Sequence, residues 1–166
     1  MDSESLRSLQ APLKQQYKDT PDAAVITLKA TSVGSDGVTC KLDTAKGMLE
    51  AGLHPATGGS GIEACSGDML LEALVACAGV TLQAVSTAFG ITLTKSEISA
   101  EGDLDFRGTL GIGNDAPVGF RDIRMFFDID GDAPPETLDK IIELTERYCV
   151  VLQTIEKKPQ INLSRV

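Results

Sequence analysis

The run GDMLLEALVACAGVTLQAV, residues 67–85, is the strongest constraint on what this chain can fold into. Across residues 69–85 its apolar text is interrupted by Glu72, Thr81 and Gln83, and no Lys or Arg flanks it. That pattern is expected to fall short of a membrane span and to form a helix buried in a protein core. At helical spacings of three, four and seven from Cys77 lie Leu70, Ala73, Leu74, Thr81 and Ala84, while Asp68, Glu72, Gly79 and Gln83 fall on another side. Cys77 is therefore expected on an apolar face. Ser66 is expected as the N-cap, Asp68 complements the helix dipole in the first turn, and Gly90 ends the helix.

The rest of the chain must supply cover for this helix. Residues 1–22 are polar, punctuated by Pro12 and Pro21, and read as a short helix or an arm. Residues 24–31 and 38–43 are rich in Val, Ile and Thr on either side of a Gly-Ser-Asp-Gly turn at residues 34–37, which predicts a hairpin. Residues 54–67 form a glycine-rich stretch without periodicity, expected as a loop. After Gly90, residues 92–100 with Leu104 and Phe106, and then the alternation Ile123, Met125, Phe127, Ile129, predict strands of a half-buried antiparallel sheet, joined by a loop over residues 108–120. Pro134 and Pro135 open a second helix with the inward stripe Leu138, Ile141, Ile142, Thr145, Cys149, Leu152 and Ile155. Ile161, Leu163 and Val166 suggest a short closing strand. The order of strands, long helix, strands, long helix is that of an α+β protein in one domain, a size matched by 166 residues.

Charge narrows the partners. Fifteen Lys and Arg against 24 Asp and Glu leave a net charge of −9, which repels nucleic-acid backbones and anionic lipid surfaces. Trp is absent, so a stacking platform for single-stranded bases is not expected either. Asp2 and Glu4 stand where a secretory signal needs basic residues, and no apolar segment follows them, so the expected location is cytoplasmic. In that reducing setting the four cysteines, Cys40, Cys65, Cys77 and Cys149, are thiols first. They contain no CxxC pair and the chain has a single histidine, His54, so a zinc-finger pattern is excluded.

Two cysteines on the inward faces of the two longest helices have two readings. Buried free cysteine is a common small hydrophobe, and Cys77 and Cys149 can be packing residues. If the helices bring them together, they are also the minimum equipment for disulfide chemistry.

The wording around these cysteines resembles a known family. GDMLLEALVACAGVTLQAV, followed about seventy residues later by ERYCVVLQTI at residues 146–155, is similar to the OsmC/Ohr superfamily of osmotically induced and organic-hydroperoxide-resistance proteins. The resemblance implies antiparallel sheets around two long central helices in an intertwined homodimer. It implies a thiol peroxidase in which Cys77 reduces an organic hydroperoxide, Cys149 resolves the oxidised sulfur as a disulfide, and an external dithiol reductant, rather than a bound cofactor, restores both. A homodimer of the same fold that binds a small apolar or sulfur-containing molecule is the alternative. The chain departs from the family pattern at three places: no arginine lies in residues 30–37, the acidic residue before the helix is Asp68 rather than Glu, and Cys149 is followed by Val150 rather than Pro.

A reactive thiol needs help to ionise, and the candidates for that help, or for substrate contact, are Asp68, Arg107, Arg121, Arg124 and Arg147. Each arginine has the alternative of a solvated charge. The loop bearing His54, Glu63 and Cys65 is either a rim over the Cys77 pocket, a third redox or substrate-contact thiol, or, with irregular spacing and no evident fourth ligand, a metal site; no metal is expected. Glu72 reads as a solvated or dimer-face charge and Cys40 as a core residue of its strand.

Overall fold

The computed structural model describes residues 2–20, 31–34, 40–44, 47–111 and 116–165. Its elements in order are α1 (Ser3–Asp19), β1 (Thr31–Gly34), β2 (Cys40–Thr44), β3 (Gly47–Gly52), β4 (Ala64–Cys65), α2 (Ser66–Phe89), β5 (Leu93–Leu104), α3 (Phe106–Thr109), β6 (Phe120–Gly131), α4 (Pro135–Tyr148) and α5 (Val150–Glu156). This mixture of helices and sheets is the expected α+β class. The chain forms two compact units, one of residues 1–12, 73–99 and 125–166, the other of residues 13–72 and 100–124.

The first unit is organised by helix stripes. On α2 the buried residues are Leu74, Ala78, Leu82 and Ser86, one every fourth position, and on the later helices Ile141, Thr145 and Cys149 repeat the same spacing. Burial of the two hydroxyl groups carries no unpaired polar atom, because Ser86 Oγ donates to the Leu82 carbonyl at 2.8 Å and Thr145 Oγ1 to the Ile141 carbonyl at 2.8 Å. By length and composition α2 could cross a membrane, against the expectation that its polar interruptions leave it short of a span; within this chain one stripe of it is buried and most of its remaining surface is not. It begins at Ser66 itself, directly after β4, so Ser66 is its first residue rather than a cap outside it. At the other end Gly90 adopts φ 73°, its N–H donates to the Thr87 carbonyl, and Ile91 N–H reaches back to the Ser86 carbonyl, a Schellman closure available to glycine without strain.

The second unit carries a four-stranded sheet in the order β1-β2-β3-β4. The antiparallel pair β1 and β2 has Gly34 opposite Cys40 and Thr31 opposite Asp43, so the expected hairpin pairing is present over Thr31–Gly34 and Cys40–Asp43. Residues 24–30 and the turn residues 35–37 lie outside the described residues. The antiparallel partner β3 was not foreseen, and β4 joins it in parallel, Ala51 opposite Ala64 and Gly52 opposite Cys65. The stretch over residues 54–67 is thus not a structureless loop. His54 caps a single 3-10 turn at Pro55–Thr57, Gly58 and Gly61 take left-handed φ values of 91° and 77°, and the chain then enters β4.

Four further expectations are corrected. The N-terminal segment is a helix but not a short one: α1 runs through Pro12 to Asp19, anchored at its start by Asp2 Oδ1, which accepts from Ser5 N–H at 2.7 Å. Phe106 opens α3 instead of extending β5; Asp105 bends the chain there by accepting from Arg107 N–H. The second long helix is two helices, α4 and α5, separated by Cys149, which is extended at φ −70° and ψ 108°. Ile161 and Leu163 form no strand and are 68% and 94% exposed; Val166 lies outside the described residues.

Two substitutions test this account. Leu82→Ala removes a fully buried side chain and is expected to cost about 2–5 kcal/mol of unfolding free energy in urea titration. Gly90→Ala places a Cβ on a left-handed residue and is expected to cost about 1 kcal/mol with no change in the slope of the transition.

Candidate active site

Within the first unit α2 presents Cys77, half-buried, and the α4–α5 junction presents Cys149, with no exposed surface. The two sulfurs meet, and the Cys149 thiol donates a hydrogen bond to the Cys77 sulfur. The break at Cys149 explains the geometry. At ψ 108° the residue leaves the helical path, so the next helix starts afresh and the amide N–H groups of Val150 and Val151 have no carbonyl four residues behind them to bond within α5. Both act on the Cys77 sulfur, and the Val151 amide acts on the Cys149 sulfur as well.

The electrostatics of the pair follow from those contacts. Burial alone would push the Cys77 thiol up, but the Val151 amide, the Cys149 thiol, the Val150 amide and the Thr81 hydroxyl outweigh it and hold Cys77 below the ordinary thiol value. The single Thr81 hydroxyl proton is directed to the Cys77 carbonyl at 2.8 Å, which makes Thr81 the weakest of these influences on the sulfur. Cys149 moves the other way: burial raises it, the Leu152 amide opposes this, and proximity to the Cys77 sulfur raises it further. The first proton lost by the pair comes from Cys77, while Cys149 keeps its own and donates it. A thiolate beside a protonated thiol can attack an electrophilic oxygen, transfer a proton to the leaving group and close a disulfide. Both sulfurs are free thiols.

The remaining candidates sit as follows. In the second unit Arg107 lies on α3 and pairs with Asp105, and Arg121 approaches the same carboxylate at 3.8 Å. Hydrogen bonds from the Arg107 side chain lower the Asp105 carboxyl to about 2 against the opposing effect of burial. Arg124 reaches Asp103 at 2.7 Å, Asp122 at 2.5 Å and Glu101 at 3.5 Å, which raises the guanidinium well above its ordinary value. Arg147, in the first unit, lies over the Tyr148 ring with 5.4 Å from the guanidinium carbon to the ring centroid. The groups acting on Cys77 are neutral donors from the α4–α5 junction, from Cys149 and from α2 itself.

His54, Cys65 and Asp68 line one cavity of the second unit. The His54 ring stacks on Phe106, centroids 4.7 Å apart, and its Nδ1 accepts from the Ala56 amide at 3.0 Å. Glu63 accepts from the Ser60 hydroxyl, which lowers its carboxyl below the ordinary value. Among the described residues no three His, Cys, Asp or Glu side chains are arranged to hold a metal ion. Glu72 is exposed; Cys40 stands at the start of β2, and its side chain lies outside the described residues. Sequence reasoning missed the Val150 and Val151 amides and the Thr81 hydroxyl. Main-chain donors carry no residue signature, and the apolar stripe reads straight through Cys149 with no Gly or Pro to mark the break.

Comparison with known proteins adds the following. A family model described as OsmC-like protein matches residues 58–164. An OsmC-like protein from Mycoplasma pneumoniae superposes with a TM-score of 0.67 at 16% identity, over 80% of this chain and 89% of that one. An organic hydroperoxide resistance protein from Elizabethkingia anophelis superposes with a TM-score of 0.63 at 18% identity, over 81% and 91%. An organic hydroperoxide resistance protein from Legionella pneumophila gives 0.58 at 16%, over 81% and 92%. At these identities the likeness is one of fold. No curated protein matches the chain by sequence.

The cysteine pair generates a pH prediction. Because the folded Cys77 thiol is lowered, its thiolate persists at pH values where an ordinary thiol is protonated, so its alkylation by iodoacetamide is expected to continue to lower pH than that of unfolded chain. Cys149→Ala removes a donor and should move the Cys77 profile to higher pH, whereas Cys149→Ser, which keeps an O–H donor, should move it less.

Proposed function

The chain belongs to the OsmC-like protein family, and from that membership we propose that it is a thiol-dependent peroxidase that reduces organic hydroperoxides in oxidative-stress defence. The observation that carries this reading is the hydrogen bond from the Cys149 thiol to the Cys77 sulfur, with Cys77 the more acidic of the two. Structural likeness to organic hydroperoxide resistance proteins supports it at the level of fold.

The reaction balances with these groups. The Cys77 thiolate attacks the distal oxygen of ROOH, an S–O bond forms as the O–O bond breaks, and the departing alkoxide leaves as ROH after taking a proton. Cys149 S–H, kept protonated by burial and by its neighbour, is the nearest proton source. The Cys149 thiolate left by that proton transfer then attacks the Cys77 sulfenic sulfur, the S–S bond forms as the S–O bond breaks, and the departing hydroxide takes a proton from solvent to become water. An external dithiol returns both residues to thiols. Neutral donors suit a neutral hydroperoxide, because the negative charge that moves from sulfur to oxygen is stabilised by amides already in place.

The working form is a homodimer in the cytoplasm, where a dithiol pool keeps the pair reduced. Val80 on α2 is 73% exposed and Val150 on α5 71% exposed, and Tyr148 and Phe126 are also exposed, apolar area that a second copy would cover. Sedimentation equilibrium at micromolar concentration is expected to give a dimer; a monomer would remove this part of the proposal.

For the chemistry, one equivalent of an alkyl hydroperoxide is expected to link Cys77 to Cys149 in peptide mapping and to be consumed in the process. In Cys149→Ser the first turnover should survive and leave a sulfenic acid on Cys77 that a dimedone probe traps. Free thiols at both positions with the peroxide unconsumed would defeat the reading, as would retention of the initial reaction in Cys77→Ser.

A further inference from the structure

The second unit contains a cavity that the peroxide chemistry does not draw on. It has two lobes of about 340 and 380 Å3, and both are lined by His54, Cys65, Leu104, Phe106 and Phe120. Such volumes lie within the range of small-molecule sites, roughly 300–1,000 Å3. The walls are built rather than incidental. A Cβ on Gly102 would stand 2.5 Å from Phe120 Cε1, so glycine in β5 is what lets the Phe120 ring occupy its place. Phe106 is held by its stack with His54, the two ring planes only 16° apart.

His54 gives the cavity an oriented ring donor, beside the hydroxyls of Thr57, Ser66 and Thr109 in the second lobe. Its Nδ1 accepts the Ala56 amide proton and so bears no hydrogen of its own, which leaves the ring proton on Nε2. The ring nitrogen remaining for a ligand is therefore a donor, and it meets an acceptor oxygen. Asp68 and Asp103 border the first lobe and oppose a negatively charged ligand. The aromatic walls of Phe106 and Phe120, the ring N–H of His54 and the carboxylates at the edge of the first lobe together suit a flat, neutral molecule with an acceptor oxygen.

We propose that this cavity binds a small neutral aromatic carbonyl compound, its ring against Phe106 and Phe120 and its oxygen accepting from His54 Nε2. The proposal does not rest on peroxidase activity, and its readout is separate from peroxide consumption. Cys65 lines both lobes as a free, half-buried thiol and serves as the reporter.

The test uses the reduced full chain with acetophenone as the probe and benzoate as its anionic counterpart. Alkylation of Cys65 by iodoacetamide is followed on its own peptide by mass spectrometry. Acetophenone is expected to slow alkylation at Cys65 saturably, and benzoate to leave it unchanged. His54→Phe keeps an aromatic ring but loses the N–H, and is expected to weaken acetophenone about tenfold, as loss of one hydrogen bond does. Leu104→Trp fills the cavity and should abolish the protection. No slowing by acetophenone, equal slowing by benzoate, or protection unchanged in both variants would each overturn the proposal.

Discussion

The backbone at Cys149 is the constraint on which the active site depends. A helix that continued through this position would tie the amides of Val150 and Val151 into its own ladder and leave the Cys77 sulfur without donors. Because the residue turns to ψ 108°, one buried thiol both ends α4 and starts α5, and its sulfur and the freed amides converge on the same neighbour. The break itself remains hydrogen-bonded. Cys149 N–H donates to the Thr145 carbonyl and the Cys149 carbonyl accepts from Gln153 N–H, so the departure from helix leaves these two main-chain groups satisfied.

This arrangement puts neutral groups to a task often given to a cation. An arginine beside a thiol lowers its pKa through charge, but the charge must be desolvated and then held in place. Amides fixed by a helix start need no such desolvation, and a neighbouring thiol that resists ionisation adds a further neutral donor. Meanwhile Arg107, Arg121 and Arg124 each lie within ion-pair distance of acidic side chains of their own unit, where they offset part of a charge of −9. These are exposed pairs for the most part, worth about 0–1 kcal/mol each.

The cysteine site and the fold class were legible in sequence to different depths. Helical counting placed Cys149 on the buried stripe of its segment, but the face counted around Cys77 is mostly not the buried one: Leu70, Ala73 and Ala84 are exposed, and burial falls on Leu74, Ala78, Leu82 and Ser86, with Cys77 half-buried beside them. Gly90 as a terminator was readable because only glycine adopts φ 73° without strain. The parallel pairing of Ala64 and Cys65 with β3 was not readable, since a two-residue strand is too short to show alternation and exists only because Gly52 and Ala51 lie beside it. The length of α1 was not readable either: Pro12 punctuates the segment, but a proline's cost is local and the surrounding turns absorb it.

What the sequence by itself determined is the set of reactive groups and their periodicity: two cysteines on apolar stripes, one histidine, a dearth of aromatic residues and an acidic surface. Tertiary structure alone decided how those groups are used. It brought the two sulfurs together, made Cys77 rather than Cys149 the acidic one, and turned main-chain amides, identical at every non-proline residue, into specific donors at one place. The physical reason is that side-chain chemistry is written residue by residue, whereas a backbone N–H acquires a role only from the conformation that denies it a helical partner.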